Sequence, residues 1–116
     1  MSTYAKALLS ASTNGEQIQV AATSSPGTLV HTARAVTGSS FDEVWLWATN
    51  TSGSAVSITV EYGTTGAANQ ITVSIPSLSG LTPIIPGLIL QNALTVKVFA
   101  VTTNVVNVSG FINQYN

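Results

Sequence analysis

The chain has 116 residues and a formal net charge of −1, and 45% of its residues are hydrophobic whereas only 6% are charged. This length and composition predict one compact domain. The three basic residues are too few for the phosphate contacts of a nucleic-acid-binding protein or for the basic cluster that binds an anionic membrane, so the composition argues against both partners.

Residues 1–13 are predicted to form an N-terminal arm, and residues 14–116 a β-domain. Within that domain apolar residues alternate with Thr, Ser or Asn in short runs separated by Gly, Pro and Asn, which is typical of strands with one buried face. Strands are predicted near residues 16–22, 28–35, 42–51, 56–62, 70–75, 81–85 with a continuation at 88–90, 93–101 and 105–114. The runs 56–62 and 70–75 are predicted to pair as a hairpin, and Pro76 is expected to end the second run.

About eight short strands in one domain predict an all-β fold, a single antiparallel β-sandwich of jelly-roll or Greek-key type. An immunoglobulin-like sandwich is the alternative, although its Cys and Trp signature is absent. The chain contains no cysteine and is long enough to bury a core without disulfides. The predicted core residues are Ile18, Val20, Leu46, Val56, Ile58, Val60, Ile71, Val73, Val96, Val98 and Ile112.

The ionisable residues offer few parts for catalysis. A serine-nucleophile site would need His31, the one histidine, as its base, and no G-x-S-x-G turn accompanies it. We therefore interpret His31 as a half-buried or surface strand residue and predict no catalytic residue, no metal site and no cofactor. Asp42 and Glu43 are adjacent on a strand, so they point to opposite faces and are expected to solvate a strand end.

Two strands are apolar on both faces. Trp45 and Trp47 share one face of their strand while Leu46 lies on the other, and Phe99 and Val101 share the outer face of a later strand. The sequence leaves three alternatives for these outer faces: cover by a loop or arm of the same chain, contact with another protein, or a platform for a sugar ring. The candidate binding residues are Trp45, Trp47, Phe99, Val101 and Phe111.

The outer surface of the domain must consist mostly of Thr, Ser, Asn and Gln, because the chain has only seven charged side chains. A neutral, strand-rich surface favours association, as in a subunit of a symmetric assembly. Contacts of such a surface should depend on apolar burial and strand-edge pairing, and should change little with salt.

The chain from Leu8 to Asn113 resembles small virion proteins of tailed bacteriophages that are encoded among head genes. The resemblance lies in three runs: LLSASTNGEQIQVAATSSPGTLVHTA, DEVWLWATNTSGSAVSITVEYG and IPGLILQNALTVKVFAVTTNVVNVSGFIN. It implies a capsid cement or decoration protein, a compact β-sandwich that sits on the outer head shell and clamps neighbouring capsomers. The family has no motif from which a site residue could be transferred.

The partners implied are other copies of the chain, with a homotrimer favoured over a homodimer, and the major capsid protein. The resemblance also implies synthesis in the host cytoplasm and location on the capsid surface. Synthesis in the cytoplasm is also expected from the start of the chain, where the apolar stretch Ala7 to Leu9 is too short for a secretory signal. The alternative function is a carbohydrate- or host-binding module of a head fibre or tail component.

Overall fold

A computed structural model of the chain describes residues 3–116; Met1 and Ser2, part of the predicted arm, lie outside these residues. The described strands are β1 (Tyr4–Ala7), β2 (Ile18–Gln19), β3 (Thr28–Thr32), β4 (Phe41–Asn50), β5 (Val56–Gly63), β6 (Gln70–Ile75), β7 (Thr82–Leu90), β8 (Thr95–Ala100) and β9 (Val106–Tyr115). A 3₁₀ turn, Ala67–Asn69, precedes β6. No helix in residues 3–116 is long and apolar enough to span a membrane.

Two antiparallel sheets pack against each other, which confirms the predicted all-β sandwich. Sheet A has the order β1-β9-β4-β7, and β2 pairs with β9 on the same side as β1; sheet B has the order β3-β8-β5-β6. The predicted hairpin is also confirmed, because β5 and β6 pair from Val56↔Ile75 to Glu61↔Gln70. Strand β6 ends directly before Pro76, as expected.

The core lies between the two sheets and follows the alternation of the strands. On β4 every second residue is buried, and Val44, Leu46 and Ala48 are fully buried. Eight of the predicted core residues are buried, and the other three, Ile18, Ile71 and Val73, are partly buried and packed against the core. Core residues that were not predicted include Leu9, Val30, Ile75, Ile84, Ile85, Leu90, Val106 and Val108.

The first residues are more closely integrated than predicted. Strand β1 pairs with β9 from Tyr4↔Tyr115 to Ala7↔Ile112, and Leu9 is 1% exposed in the core. The described part of residues 1–13 therefore contributes an edge strand and a core side chain to the sandwich, and does not lie outside it.

Strand β7 is continuous where the sequence indicated a break. It carries Pro83 and Pro86, and its pairing with β4 shifts register between Val44 and Trp45 and again between Leu46 and Trp47. Proline has no backbone N–H to donate to a neighbouring strand and is therefore disfavoured in a central strand. The strand can contain both prolines because it is the edge of sheet A.

Candidate functional site

The outer side of sheet A carries most of the aromatic side chains of the protein. Alternation places one set on β4, the pairing of β4 with β9 adds a second set in register, and β1 adds one more residue. We call this surface the aromatic face, and it comprises six of the eight aromatic residues of the chain: Tyr4, Phe41, Trp45, Trp47, Phe111 and Tyr115.

Three of the predicted binding residues meet in the middle of the aromatic face. The ring centroids of Trp45 and Trp47 are 6.5 Å apart, and those of Phe111 lie 6.2 Å from Trp45 and 6.0 Å from Trp47. The interplanar angles are 14° to 30°, so the three rings have nearly parallel planes. Each of these side chains is half-buried.

A second aromatic group lies at the end of the same face. The ring centroid of Tyr115 is 4.7 Å from that of Tyr4 and 5.0 Å from that of Phe41. Tyr4 is 57% exposed, which makes it the most accessible ring of the aromatic face. This group was not among the predicted binding residues, although Phe41 has the same strand parity as Trp45 and Tyr115 the same parity as Phe111.

A polar band separates the two aromatic groups. The Glu43 carboxylate accepts hydrogen bonds from Trp45 Nε1 at 2.7 Å and from Asn113 Nδ2 at 3.1 Å. The Lys6 ammonium group lies 4.5 Å from the centroid of the Phe111 ring, a cation–π arrangement. Lys6 and Glu43 therefore give the aromatic face one charge of each sign. The Lys6 ammonium group lies over the Phe111 ring, and the Glu43 carboxylate is hydrogen-bonded to the Trp45 indole.

Gly87 on β7 and Gly110 on β9 allow Trp45 to pack closely against these two neighbouring strands. A Cβ atom at Gly87, where φ is +84°, would lie 2.7 Å from Cζ2 of the Trp45 indole. A Cβ atom at Gly110 would overlap the carbonyl oxygen of Trp45. The indole thus lies over the backbone of β7, and β9 approaches the backbone of β4 too closely for any side chain at position 110.

The remaining two predicted binding residues lie elsewhere. Phe99 is on the outer side of sheet B, opposite Thr59 of β5, and Val101 follows β8 and is 69% exposed. The five candidates therefore do not form one surface. The outer side of sheet B is dominated by Thr and Ser, and its buried Glu61 is covered by the turn at residues 25–27.

That turn is held by the Glu61 carboxylate. Glu61 is 1% exposed; its Oε1 accepts a hydrogen bond from the Gly27 amide at 2.7 Å, and its Oε2 accepts one from the Ser25 hydroxyl. The absence of a side chain at Gly27 lets the turn lie directly on the backbone of Val98. Part of the outer surface of sheet B is therefore covered within the chain itself.

His31 and Asp42 lie in a buried polar network between the sheets, which corrects two expectations. His31 is 4% exposed, not half-buried or at the surface, and Asp42 is fully buried and does not solvate a strand end. Asp42 Oδ2 lies 2.9 Å from His31 Nε2, and Asp42 Oδ1 accepts a hydrogen bond from Arg34 Nε at 2.7 Å. The buried charge is therefore compensated by an ion pair and by hydrogen bonds.

The hydrogen bonds of His31 define its tautomer. Its Nδ1 accepts a hydrogen bond from the Ser10 amide at 3.0 Å, so the ring proton is on Nε2 and is donated to Asp42. The Ser10 hydroxyl accepts a hydrogen bond from the Thr32 amide at 2.7 Å. Both ring nitrogens are therefore engaged inside the protein, and this cluster fixes the N-terminal segment against β3.

The environment shifts the pKa values of Asp42 and Tyr62. Burial raises the pKa of Asp42, but the hydrogen bonds from Arg34 and His31 outweigh it and hold this pKa below its ordinary value of 3.8. Burial, with a smaller contribution from the charge of Asp42, raises the pKa of Tyr62 above its ordinary value. The Tyr62 hydroxyl is buried and has no hydrogen-bond partner among the described residues.

The described residues form no enclosed pocket, and no group of three or more His, Asp or Glu side chains among them could hold a metal ion. The aromatic face is the candidate functional site because it gathers six of the eight aromatic residues of the chain on one surface. No protein-family model, curated protein or solved structure matches this chain.

Proposed function

We propose that the chain is a structural, non-catalytic virion protein, a capsid cement or decoration subunit that binds the outer head shell through its aromatic face. The observation that carries this proposal is the concentration of six of the eight aromatic residues on one side of a sandwich with only seven charged side chains. The phage setting rests on the resemblance of the sequence, and the choice of surface rests on the geometry.

The composition of the aromatic face fits a protein-binding surface. Aromatic residues are enriched in the cores of protein interfaces and charged residues are depleted there. Tyr4 offers the most exposed ring, and the half-buried Trp45, Trp47 and Phe111 are held in place by their packing and lose little freedom on binding. Apolar burial contributes roughly 25 cal/mol per Å², so a few hundred Å² supply a few kcal/mol per copy.

A few kcal/mol per copy suffices if the subunits are linked. When one subunit of an oligomer is bound, attachment of the next becomes effectively intramolecular. Many weak contacts of this kind would resist the outward pressure of packaged DNA. The partners in this proposal are other copies of the chain and the major capsid protein, with the protein located on the capsid surface.

The proposed absence of catalysis is supported by the chemistry of the buried network. Both ring nitrogens of His31 are occupied by protein groups, and Asp42 is fully buried, so neither can reach a substrate in this conformation. No cofactor is needed for the proposed role.

The test compares binding of two variants to particles that lack the protein. Trp47→Ser removes a ring from the aromatic face, whereas Phe99→Ser removes a half-buried ring from the outer side of the opposite sheet and serves as the matched control. We expect Trp47→Ser to weaken binding and to let particles lose DNA at a lower temperature, and Phe99→Ser to behave as the wild type. Equal stability of particles with and without the protein, or its location on the tail, would overturn the proposal.

A carbohydrate-binding role is the second candidate, because Trp45, Trp47 and Phe111 have nearly parallel planes beside polar groups of Glu43 and Asn113. Sugar rings bind to aromatic faces and hydrogen-bond to neighbouring polar groups. Glycan-array binding that is abolished by Trp45→Ala or Trp47→Ala, with association of the chain intact, would favour this function over the capsid role.

A further inference from the structure

The two sheets have open edges that differ in how they could pair with another strand. Sheet A ends at β7 on one side and at β1 and β2 on the other, and sheet B ends at β3 and at β6. Each edge strand has backbone groups that point away from its sheet, which another strand could use unless the edge is blocked.

Three of these edges are blocked or short. Strand β7 carries Pro83 and Pro86 and two register shifts. The open side of β3 is occupied by residues 10–11, since the Ala11 amide donates to the Val30 carbonyl and Thr32 donates to the Ser10 hydroxyl. The remaining edge is divided between β1, four residues with the exposed Lys6, and β2, two residues.

Strand β6 has none of these protections. Its six residues, QITVSI, contain no proline and no charge, and they pair with β5 without a register shift. The described residues provide no hydrogen bond to residues 71–74 beyond the ladder to β5. Ile71 and Val73 point towards the core but are only partly buried, so the core is incompletely covered at this edge.

We propose that β6 pairs antiparallel with β6 of a second copy of this chain and joins the two B sheets into one eight-stranded sheet. Directly opposed residues on antiparallel strands point to the same face, so a two-fold axis perpendicular to the sheet keeps both faces continuous. Thr72 then lies opposite Thr72 or Ser74 of the second copy. On the inner side, Ile71 lies opposite Val73 of the second copy in the first register. In the second register Val73 lies opposite its own equivalent and Ile71 opposite Ile75. In both registers Ile71 and Val73 gain the cover that the single chain lacks.

A second copy fits this edge because β6 is neutral and self-complementary. Pairing with itself brings no like charges together, and opposed Thr and Ser side chains form favourable cross-strand pairs. The interface uses the same patch on both subunits, so it closes at two copies. Although the resemblance to virion proteins favours a trimer, this edge therefore specifies a dimer.

The dimer has a consequence that rests on the proposed function. Because the two-fold axis is perpendicular to sheet B, both A sheets lie on the same side of the dimer, and both aromatic faces point in the same direction. One dimer could therefore attach to a shell at two points, which gives the linked binding described above.

The test measures the association of the purified chain in solution. A six-residue edge gives a small interface, so we expect a dissociation constant in the range of about 1 μM to about 1 mM, measured by sedimentation velocity. Hydrogen exchange at residues 71–74 should slow as the concentration rises through this range. The test involves no particle, so its failure would not affect the proposed capsid binding.

The matched variants are Thr72→Lys and Thr59→Lys, because these two threonines lie opposite each other in the β5–β6 pair and share one face. In the dimer Thr72→Lys brings two ammonium groups together, and we expect about fivefold weaker association or more, partly restored by high salt. Thr59→Lys adds the same charge one strand away from the edge and should dimerise as the wild type. Circular dichroism of both variants verifies the fold.

Three results would overturn the proposal: a wild-type chain that remains monomeric at the highest concentration, a closed trimer, or equal association of the Thr72→Lys and Thr59→Lys proteins. Should Thr72→Lys fail to fold, the concentration dependence of hydrogen exchange in the wild-type protein decides alone. Protection at residues 71–74 that is independent of concentration then counts against the dimer.

Discussion

Replacement of Asp42 by Asn tests whether the buried network stabilises the fold. The Asp42 carboxylate accepts hydrogen bonds from Arg34 Nε at 2.7 Å, from the Arg34 amide at 3.2 Å and from His31 Nε2, 2.9 Å away. Asparagine has nearly the same shape but replaces one acceptor oxygen by an NH₂ donor. At least one of these donors then faces another donor inside the protein, and the charge that pairs with Arg34 is lost.

The expected loss of unfolding free energy is about 3 kcal/mol. A buried hydrogen bond to a charged group contributes about 1.5–3 kcal/mol, and removal of one partner of a buried ion pair costs about 3–5 kcal/mol. The lower part of this range applies because the Arg34 side chain is 26% exposed and keeps its hydrogen bonds to the carbonyls of Phe41 and Tyr115. For a domain of this size, 3 kcal/mol corresponds to a decrease in Tm of roughly 10 °C.

Urea unfolding followed by tryptophan fluorescence measures this loss, and Glu43→Gln is the matched control. Glu43 is the next residue on β4, faces outward and is half-buried, and both of its hydrogen bonds end on Oε1, which glutamine retains. We expect the control to lose less than about 1 kcal/mol. If Asp42→Asn loses no more unfolding free energy than Glu43→Gln, the network does not stabilise the fold.

The same pair of proteins gives a pH test. Because the pKa of Asp42 is lower in the folded protein than in the unfolded chain, its contribution is present above about pH 4 and is lost as the pH falls through the folded-state pKa. The stability difference between the wild type and Asp42→Asn should therefore shrink below about pH 4. A difference that stays constant down to pH about 2 would contradict the lowered pKa.

Three further predictions concern other parts of the molecule. Tyr62→Phe removes a buried hydroxyl that has no hydrogen-bond partner among residues 3–116, so it should leave the unfolding free energy unchanged or raise it by about 1 kcal/mol. It should also reduce the loss of stability above about pH 10, where Tyr62 ionises more readily in the unfolded chain. A large destabilisation in urea unfolding would show that the hydroxyl has a partner. Gly110→Ala should lower Tm strongly because the added Cβ would overlap the Trp45 carbonyl oxygen. Gly53→Ala is the control and should change Tm little, because its added Cβ would have no described atom within 4 Å apart from those of the adjacent residues. Equal Tm values of the two variants would contradict this packing. Binding of the wild type to particles should change little between about 50 mM and about 1 M NaCl, and steep weakening would assign the interface to Lys6 or another cation.

The parts of the fold that depend on local alternation could be predicted from the sequence. Val44 and Leu46 alternate with Trp45 and Trp47, and this pattern alone separates the buried side of β4 from its outer side. The hairpin of β5 and β6 was predictable because its strands are close in sequence and Pro76 marks its end. Pairing of β1 with β9 joins residues at opposite ends of the described chain, so no local pattern indicates it.

Burial of His31 was not predictable because the backbone departs from strict alternation. The pairing of β3 with β8 shifts register between Leu29 and His31, so two consecutive residues, Val30 and His31, are both buried. Asp42 has the parity of the buried Val44, but a charged residue on that side is plausible only once Arg34 is known to lie beside it. Partners of this kind come from the tertiary fold and have no fixed spacing in the sequence.

The position of β9 determines the order in which the chain can fold during synthesis. All strands of sheet B have left the ribosome once residue 100 has emerged, whereas the partners of β9 in sheet A, namely β1, β2 and β4, must wait for residues 106–115. Until then the apolar inner side of sheet B has an incomplete cover and is open to aggregation. Insertion of β9 between β4 and the first strands is therefore expected to complete the fold, and nascent chains stalled before residue 106 should remain sensitive to protease.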